Sequence, residues 1–358
     1  MGRSRIYLDH AATTPVLPAA REAMTEALAR WHNPSSPHAE GRAAKAALED
    51  ARERIKAALG WSGRIVFTSG ASEALAIALG RDRAARRYVS AAEHDAVLRA
   101  APDAERLPVD GHGIVNISSI AGGRARVAVQ HANNETGIVQ PLVEIAEKVR
   151  ALGGILLADC AQTAGKVPLP DADMIAISAH KFGGPPGIGA LLLKEFALIE
   201  AVGGQEQGYR PGTENLPAIL GMATALEAGS EWLARAADLR RKLEQLLLVS
   251  GAEVVGGGSE RIATIGAYRM PGVPANAQLI QFDMAGIAVS AGSACSSGSL
   301  KPSHVLAAMG WEKAAAREVV RVSFGRSTTA EEVERFAHLW TAMAAKRRAL
   351  RPGSGQAA

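Results

Sequence analysis

The chain has 358 residues, 47% hydrophobic and 21% charged, with a formal charge of 40 − 36 = +4. That is the composition of a soluble globular protein, with material for two domains or one large domain and a satellite. The basic blocks "RDRAARR" and "AKRRALR" are short enough to be solvated helix faces, and 4% aromatics leave little to stack on bases, so direct nucleic-acid binding is not expected.

The amino terminus, "MGRSRIYLDHAATTP", lacks the apolar core of a secretory signal, and no run nears the roughly 18 apolar residues of a membrane span. Residues 17–31 and 40–59 carry Ala, Leu, Arg and Glu at helical spacing. "RIVFTSGASEALAIALG" then reads as buried strand, small-residue turn and helix. Further strands are expected at 126–131, 154–159, 173–178 and 188–193. Between the first two lies "PLVEIAEKVRALGG", a helix opened by proline and closed by glycine. Apolar strands alternating with helices argue for an α/β sheet covered on both faces. A long amphipathic helical region follows from about 214 to 248. Then come "AEVVGG", "RIATIGAYRM", a helix from "NAQLIQFDMAG", "RVSFG" and a terminal helix, the rhythm of a smaller α+β domain with its boundary near 246.

One stretch, "AISAHKFGGPPGIGALLL" at 176–193, sets Lys181 between a strand and a glycine-rich turn. It is not a P-loop lysine, because it precedes the glycines and no Ser or Thr follows it. No GxGxxG turn supports a dinucleotide fold either. A covalent anchor for pyridoxal phosphate (PLP) needs three parts: a lysine, a carboxylate facing the pyridinium nitrogen, and donors for the phosphate. Asp159 follows a buried strand in "ILLADCAQ". The turn "SGAS" at 69–72 opens a helix whose backbone N–H groups and Ser72 hydroxyl suit a phosphate. Ser178 and His180 flank the lysine. His94 in "EHDAVL" offers an imidazole for stacking and proton transfer. Singly, each of these has an ordinary reading as a cap, turn or surface residue.

Two cysteines occur, Cys160 and Cys295, which allows no disulfide framework and no CxxC or HExxH metal motif. A reducing cytoplasm is the expected setting. Cys160 sits among branched apolar residues as an inert structural thiol does. Cys295, in "SAGSACSSGS", has only Ser, Ala and Gly around it and reads as an exposed, reactive position on a mobile loop.

Ten segments in order carry a resemblance: "YLDHAATTP", "NPSSPHAEGRAA", "IVFTSGASEA", "EHDAVL", "HANNETGIVQPL", "ADCAQTAGK", "SAHKFGGPPGIGAL", "RPGTEN", "SAGSACSSGSLKPSHVL" and "VRVSFGRSTT". Through them the chain resembles the cysteine desulfurases of the NifS/IscS type, in the class V aminotransferase branch of fold-type I PLP enzymes. The resemblance implies a large PLP-binding domain with a mostly parallel central sheet, residues 16–245. It adds a smaller α+β domain, 1–15 and 246–358, carrying the cysteine loop. It also implies that Lys181 holds PLP, Asp159 pairs with its ring nitrogen, Asn134 and Gln162 lie at the ring hydroxyl, and His94 stacks on the ring. Ala71, Ser72, Ser178 and His180 would hold the phosphate, and Thr213 would reach the phosphate of a second subunit, which makes a homodimer. Asn33 and Arg321 would hold the substrate carboxylate.

The implied reaction takes sulfur from L-cysteine, leaving L-alanine and a persulfide on Cys295. The sulfur would pass to an acceptor or iron–sulfur scaffold protein for cluster assembly or tRNA thiolation, with transient contact between Cys295 and a nascent cluster. A selenocysteine lyase or other β-eliminating relative is the nearest alternative; a non-catalytic partner protein with the same fold is another. The sequence departs from the resemblance at Ala74, Leu75 and Ala76, where a serine and two asparagines are usual, at Ser72 in place of a threonine, and in its shorter carboxyl end.

Overall fold

The computed structural model describes residues 5–30, 32–81, 86–121, 123–292 and 302–349. In chain order the strands are β1 (Ile6–Tyr7), β2 (Arg64–Thr68), β3 (Arg86–Ser90), β4 (Glu105–Leu107), β5 (Ala125–Gln130), β6 (Ile155–Asp159), β7 (Met174–Ser178), β8 (Gly189–Leu193), β9 (Glu253–Val254), β10 (Ile265–Arg269), β11 (Ile287–Ala288) and β12 (Val319–Ser323). The helices are α1 (Pro18–Ala29), α2 (Ala39–Leu59), α3 (Ala71–Gly80), α4 (Asp95–Ala100), α5 (Leu142–Ala151), α6 (Leu216–Glu227), α7 (Trp232–Val249), α8 (Ala275–Met284), α9 (His304–Ala308), α10 (Lys313–Ala316) and α11 (Ala330–Ala349).

Seven strands form the central sheet in the order β2-β8-β7-β6-β5-β3-β4. Within it β8 runs antiparallel to both of its neighbours, and the other pairings are parallel. Every residue of β5, β7 and β8 is buried, as the apolar runs require when both faces are covered. The strand period of two divides the side chains between the faces. Ile65, Phe67, Val127, Val129, Leu156 and Ala158 join one core with α2, α5 and α6. Val66, Ala128 and Leu157 turn to the other face with α3 and α4.

A second core gathers Ile6 and Leu8 with α7, α8, β12 and α11. There β1 pairs in parallel with β11, and β12-β10-β9 form an antiparallel sheet. The helical region from 214 to 248 is two helices. They are parted at Gly229, whose φ of +73° suits glycine. α6 packs in the first core, whereas Ala236, Leu239, Leu243 and Leu247 of α7 pack in the second. The amphipathic period alone did not mark that change of core.

Candidate active site

Because β2, β3, β5, β6 and β7 run the same way, their carboxyl ends lie on one edge of the sheet, where open α/β sheets bind ligands. Asp159 is the last residue of β6 and is register partner to Gln130, the last of β5. Ser178 ends β7, and a short 3-10 turn, Ala179–Lys181, carries the lysine next to it. β2 delivers Ser69 and Gly70 to the first turn of α3. Gly189 permits the close approach: a Cβ there would stand 2.6 Å from the Gly70 Cα and 2.4 Å from the Ile177 carbonyl oxygen.

These ends enclose a cavity of about 360 Å³. Nine residues singled out in the sequence line it: Ala71, Ser72 and His94, then Asn134, Asp159 and Gln162, then Ser178, His180 and Lys181. Leu75, one of the departures, also borders it, and Ala74 is buried behind. Four residues singled out do not line the cavity or cannot be placed. Asn33 is exposed in the turn before α2, its side-chain oxygen accepting from Ser35 N at 2.9 Å. Thr213 is exposed in the segment before α6. Arg321 is buried on β12, beside the cavity wall at Asn134, whose carbonyl oxygen accepts from its Nη1 at 2.9 Å. Cys295 lies outside the described residues.

Burial sets the electrostatics. It pushes the Asp159 carboxyl above its ordinary range, against the opposing effect of the Ala161 N–H, which donates to Oδ1 at 2.9 Å. It lowers Lys181 to about 8, with the Arg321 charge acting in the same direction. The Lys181 Nζ donates to the carbonyls of Ala11 at 2.6 Å and Ala12 at 2.9 Å. His180 falls to about 4 through burial and the charges of Lys181 and Lys166, and is therefore neutral near pH 7. The His94 Nδ1 caps α4 by accepting from Ala96 N at 3.1 Å, which leaves its ring proton on Nε2.

Sequence reasoning missed the segment from Asp9 to Thr14 as a part of the site. Beyond Lys181, the Ala11 carbonyl accepts from Gln162 Nε2 at 3.0 Å, Thr13 Oγ1 meets His180 Nδ1 at 3.2 Å, and Asp9 pairs with Arg321. Backbone carbonyls carry no sequence signal, so only Asp9 was legible. Lys166 was also missed: its buried Nζ donates to the Gln162 carbonyl at 2.9 Å, and burial lowers it to about 7.

Residues 6–336 match the aminotransferase class-V family. The chain belongs to that family. Among class-V relatives, a cysteine desulfurase of Cereibacter sphaeroides is 37% identical over 97% of this chain and 98% of its own. A NifS-like protein from Rickettsia africae superposes with a TM-score of 0.85 at 29% identity, covering 95% of this chain and 99% of that one. A solved complex of SspA with cysteine superposes at 0.79 and 28% identity, over 90% of this chain and 100% of that one. Among the described residues no helix is long and apolar enough to cross a membrane, and no cluster of three or more His, Cys, Asp or Glu is placed to hold a metal ion.

Proposed function

We propose that the chain is a PLP-dependent cysteine desulfurase, releasing L-alanine from L-cysteine and leaving the sulfur as a persulfide on Cys295. The observation that carries this reading is the meeting of Lys181 and Asp159, from the ends of adjacent parallel strands, in one cavity. The full-length likeness to cysteine desulfurases supports it.

The cavity's donor set fits PLP. The buried Asp159 carboxyl, raised by burial, calls for a cationic partner such as a protonated ring nitrogen. Gln162 Oε1 is buried with no hydrogen-bond partner among the described residues, which suits a ring hydroxyl. The first turn of α3, with Ser72, Ser178 and neutral His180, suits a phosphate. When bound, PLP supplies an electron sink for the pair left at the substrate Cα.

The chain's own residues do the rest. Lys181, lowered to about 8, keeps a neutral fraction near pH 7 that serves as nucleophile and then as the base at Cα. His94 presents Nε2–H and so acts as a donor, not the base. The Cys295 thiolate attacks the substrate sulfur, and the Cβ–S bond breaks with its electron pair staying on the carbon fragment, which takes up protons to become alanine. Cys160 takes no part: it is fully buried, and burial pushes its thiol up.

Thr213, exposed and away from the cavity of its own chain, serves the phosphate of a second copy, so the enzyme is a homodimer; Asn33 serves the substrate carboxylate. The large unit begins at 16, and residues 1–15 join the small unit with the carboxyl-terminal part. The packing of α7 in the second core supports a boundary at the Gly229 break rather than near 246. The enzyme acts in the cytoplasm, and its sulfur goes to an acceptor or scaffold protein for iron–sulfur clusters or tRNA thiolation.

The test is incubation of PLP-loaded protein with L-cysteine, followed by mass mapping of the persulfide and assay of alanine. Persulfide at Cys295 with stoichiometric alanine supports the proposal. Turnover of L-selenocysteine alone would replace it with a lyase, and turnover independent of Cys295 would sink it.

A further inference from the structure

Arg321 is buried to 6% exposure on β12, and its guanidinium is already engaged. Nη2 meets Asp9 Oδ1 at 2.7 Å, Nη1 donates to the Asn134 carbonyl at 2.9 Å, and Nε is buried with no partner among the described residues. Among the described residues the arginine borders a small space beside Glu135 and Gly292, and it does not line the main cavity.

The fixing of Asp9 is equally specific. It is bridged to Ser323, two residues along from Arg321 on β12. The Leu8 carbonyl accepts from Ser323 N at 2.8 Å, and Ala11 N donates to Ser323 Oγ at 2.8 Å. The backbone around Asp9 is therefore clamped to the strand that carries its partner. A carboxylate placed on a buried guanidinium, next to a cavity that receives an amino acid, has the chemistry of the substrate's own α-carboxylate. A guanidinium takes one carboxylate well, and two carboxylates drawn to the same fork repel each other.

On the reading that this cavity processes an α-amino acid, we propose that Asp9 is an internal carboxylate surrogate on Arg321, and that substrate binding is an exchange in which the incoming α-carboxylate replaces it. Asp9 is thus a positioning residue acting through Arg321. It keeps the guanidinium paired and aimed until an amino acid arrives, and it sets the affinity for that amino acid by competition. Neutral side chains at position 9 remove the competitor; a longer carboxylate keeps it.

The experiment uses the PLP-loaded full chain, with L-alanine as a ligand that carries the α-carboxylate and α-amine but no transferable sulfur. Binding is followed by calorimetry, and KM and kcat for L-cysteine are measured alongside. Asp9→Asn is expected to bind L-alanine about fivefold more tightly, with the gain appearing in KM ahead of kcat. Asp9→Glu is expected to stay within about twofold of the parent, and Arg321→Lys in the Asp9→Asn background to cancel the gain.

Unchanged or weaker binding by Asp9→Asn overturns the proposal. A crystal structure of the unaltered protein with L-alanine tests it without relying on the folding of a variant. Asp9 Oδ1 is expected to leave Arg321 Nη2 as the ligand's carboxylate arrives; the 2.7 Å contact kept beside bound ligand overturns it. The function fails separately, and takes the exchange with it, when the unaltered protein neither binds L-alanine nor turns over L-cysteine.

Discussion

Arg52 grips Glu206 through two parallel N–H···O bonds of 3.0 Å each, both side chains being buried. Glu206 Oε2 also accepts from Phe67 N at 2.8 Å. The pair fastens the 203–212 segment to α2 and β2, and it holds Glu206 at a φ of +48°, a region a non-glycine residue seldom occupies. A few residues on, Arg210 Nε reaches Glu73 in the first turn of α3 at 2.8 Å. Thr213 follows this doubly anchored segment. Glu206→Gln removes the buried charge opposite Arg52, which keeps Glu49 at 3.0 Å as a partner, so the variant is expected to cost about 2 kcal/mol, read as a shift in urea unfolding. The variant should also bind PLP more weakly, since the segment carrying Thr213 loses an anchor.

Lys181 should be the position of the covalent link to PLP. Borohydride reduction of the loaded protein followed by peptide mapping is expected to label this residue alone. Lys181→Ala should lower turnover on the order of 10⁴-fold or more, because nucleophile and base are lost together. Label on Lys166 instead would overturn the assignment of the anchor to Lys181.

Stability of the ligand-free chain should rise with pH in an upper window set by two buried lysines, Lys166 and Lys181. Lys166 has a folded value of about 7 against an ordinary 10.5, so the unfolded chain binds its proton first as pH falls. The contribution is complete above about 10.5 and is lost as pH falls toward 7. His10 and His180, both held at about 4 chiefly by burial, push the same way between 6.5 and 4, where the buried Asp159 and Glu93 carboxyls, raised by burial, push against them. Melting temperatures from pH 7 to 10 check this, and Lys166→Met is expected to reduce the slope, with Lys181, lowered to about 8, keeping the remainder. A flat curve in the unaltered chain would contradict it.

A thiol reagent applied to native protein should modify Cys295 and leave Cys160 untouched until unfolding. Cys160 has no exposed surface, and burial holds its thiol protonated. Mass spectrometry before and after denaturation counts the two events. Cys295→Ser should remove the first and leave the second.

Much of the sheet was legible because its strands are continuous apolar runs with turn signals at their ends. β5, β6, β7 and β8 fall within a residue or so of their expected spans. β4, only Glu105–Leu107 and mostly exposed, offered no such run. The long helical region concealed its break because Leu and Ala face inward on both α6 and α7, although toward different cores. In the site, side chains with distinctive chemistry announced themselves, as Lys181, Asp159 and His94 show. The Ala11 and Ala12 carbonyls, which hold the lysine amine, belong to residues whose side chains say nothing. Asp9 was visible as a residue, but its pairing with Arg321 spans 312 positions and only the folded chain reveals it.

That same stretch from Leu8 to Thr14 ties the second core to the turn that carries Lys181. It hydrogen-bonds to Ser323 on one side and to His180 and Lys181 on the other. Swinging the two units apart would snap those links in a single movement and unseat the amine and the guanidinium together. The molecule therefore cannot gape like a clam without disarming itself.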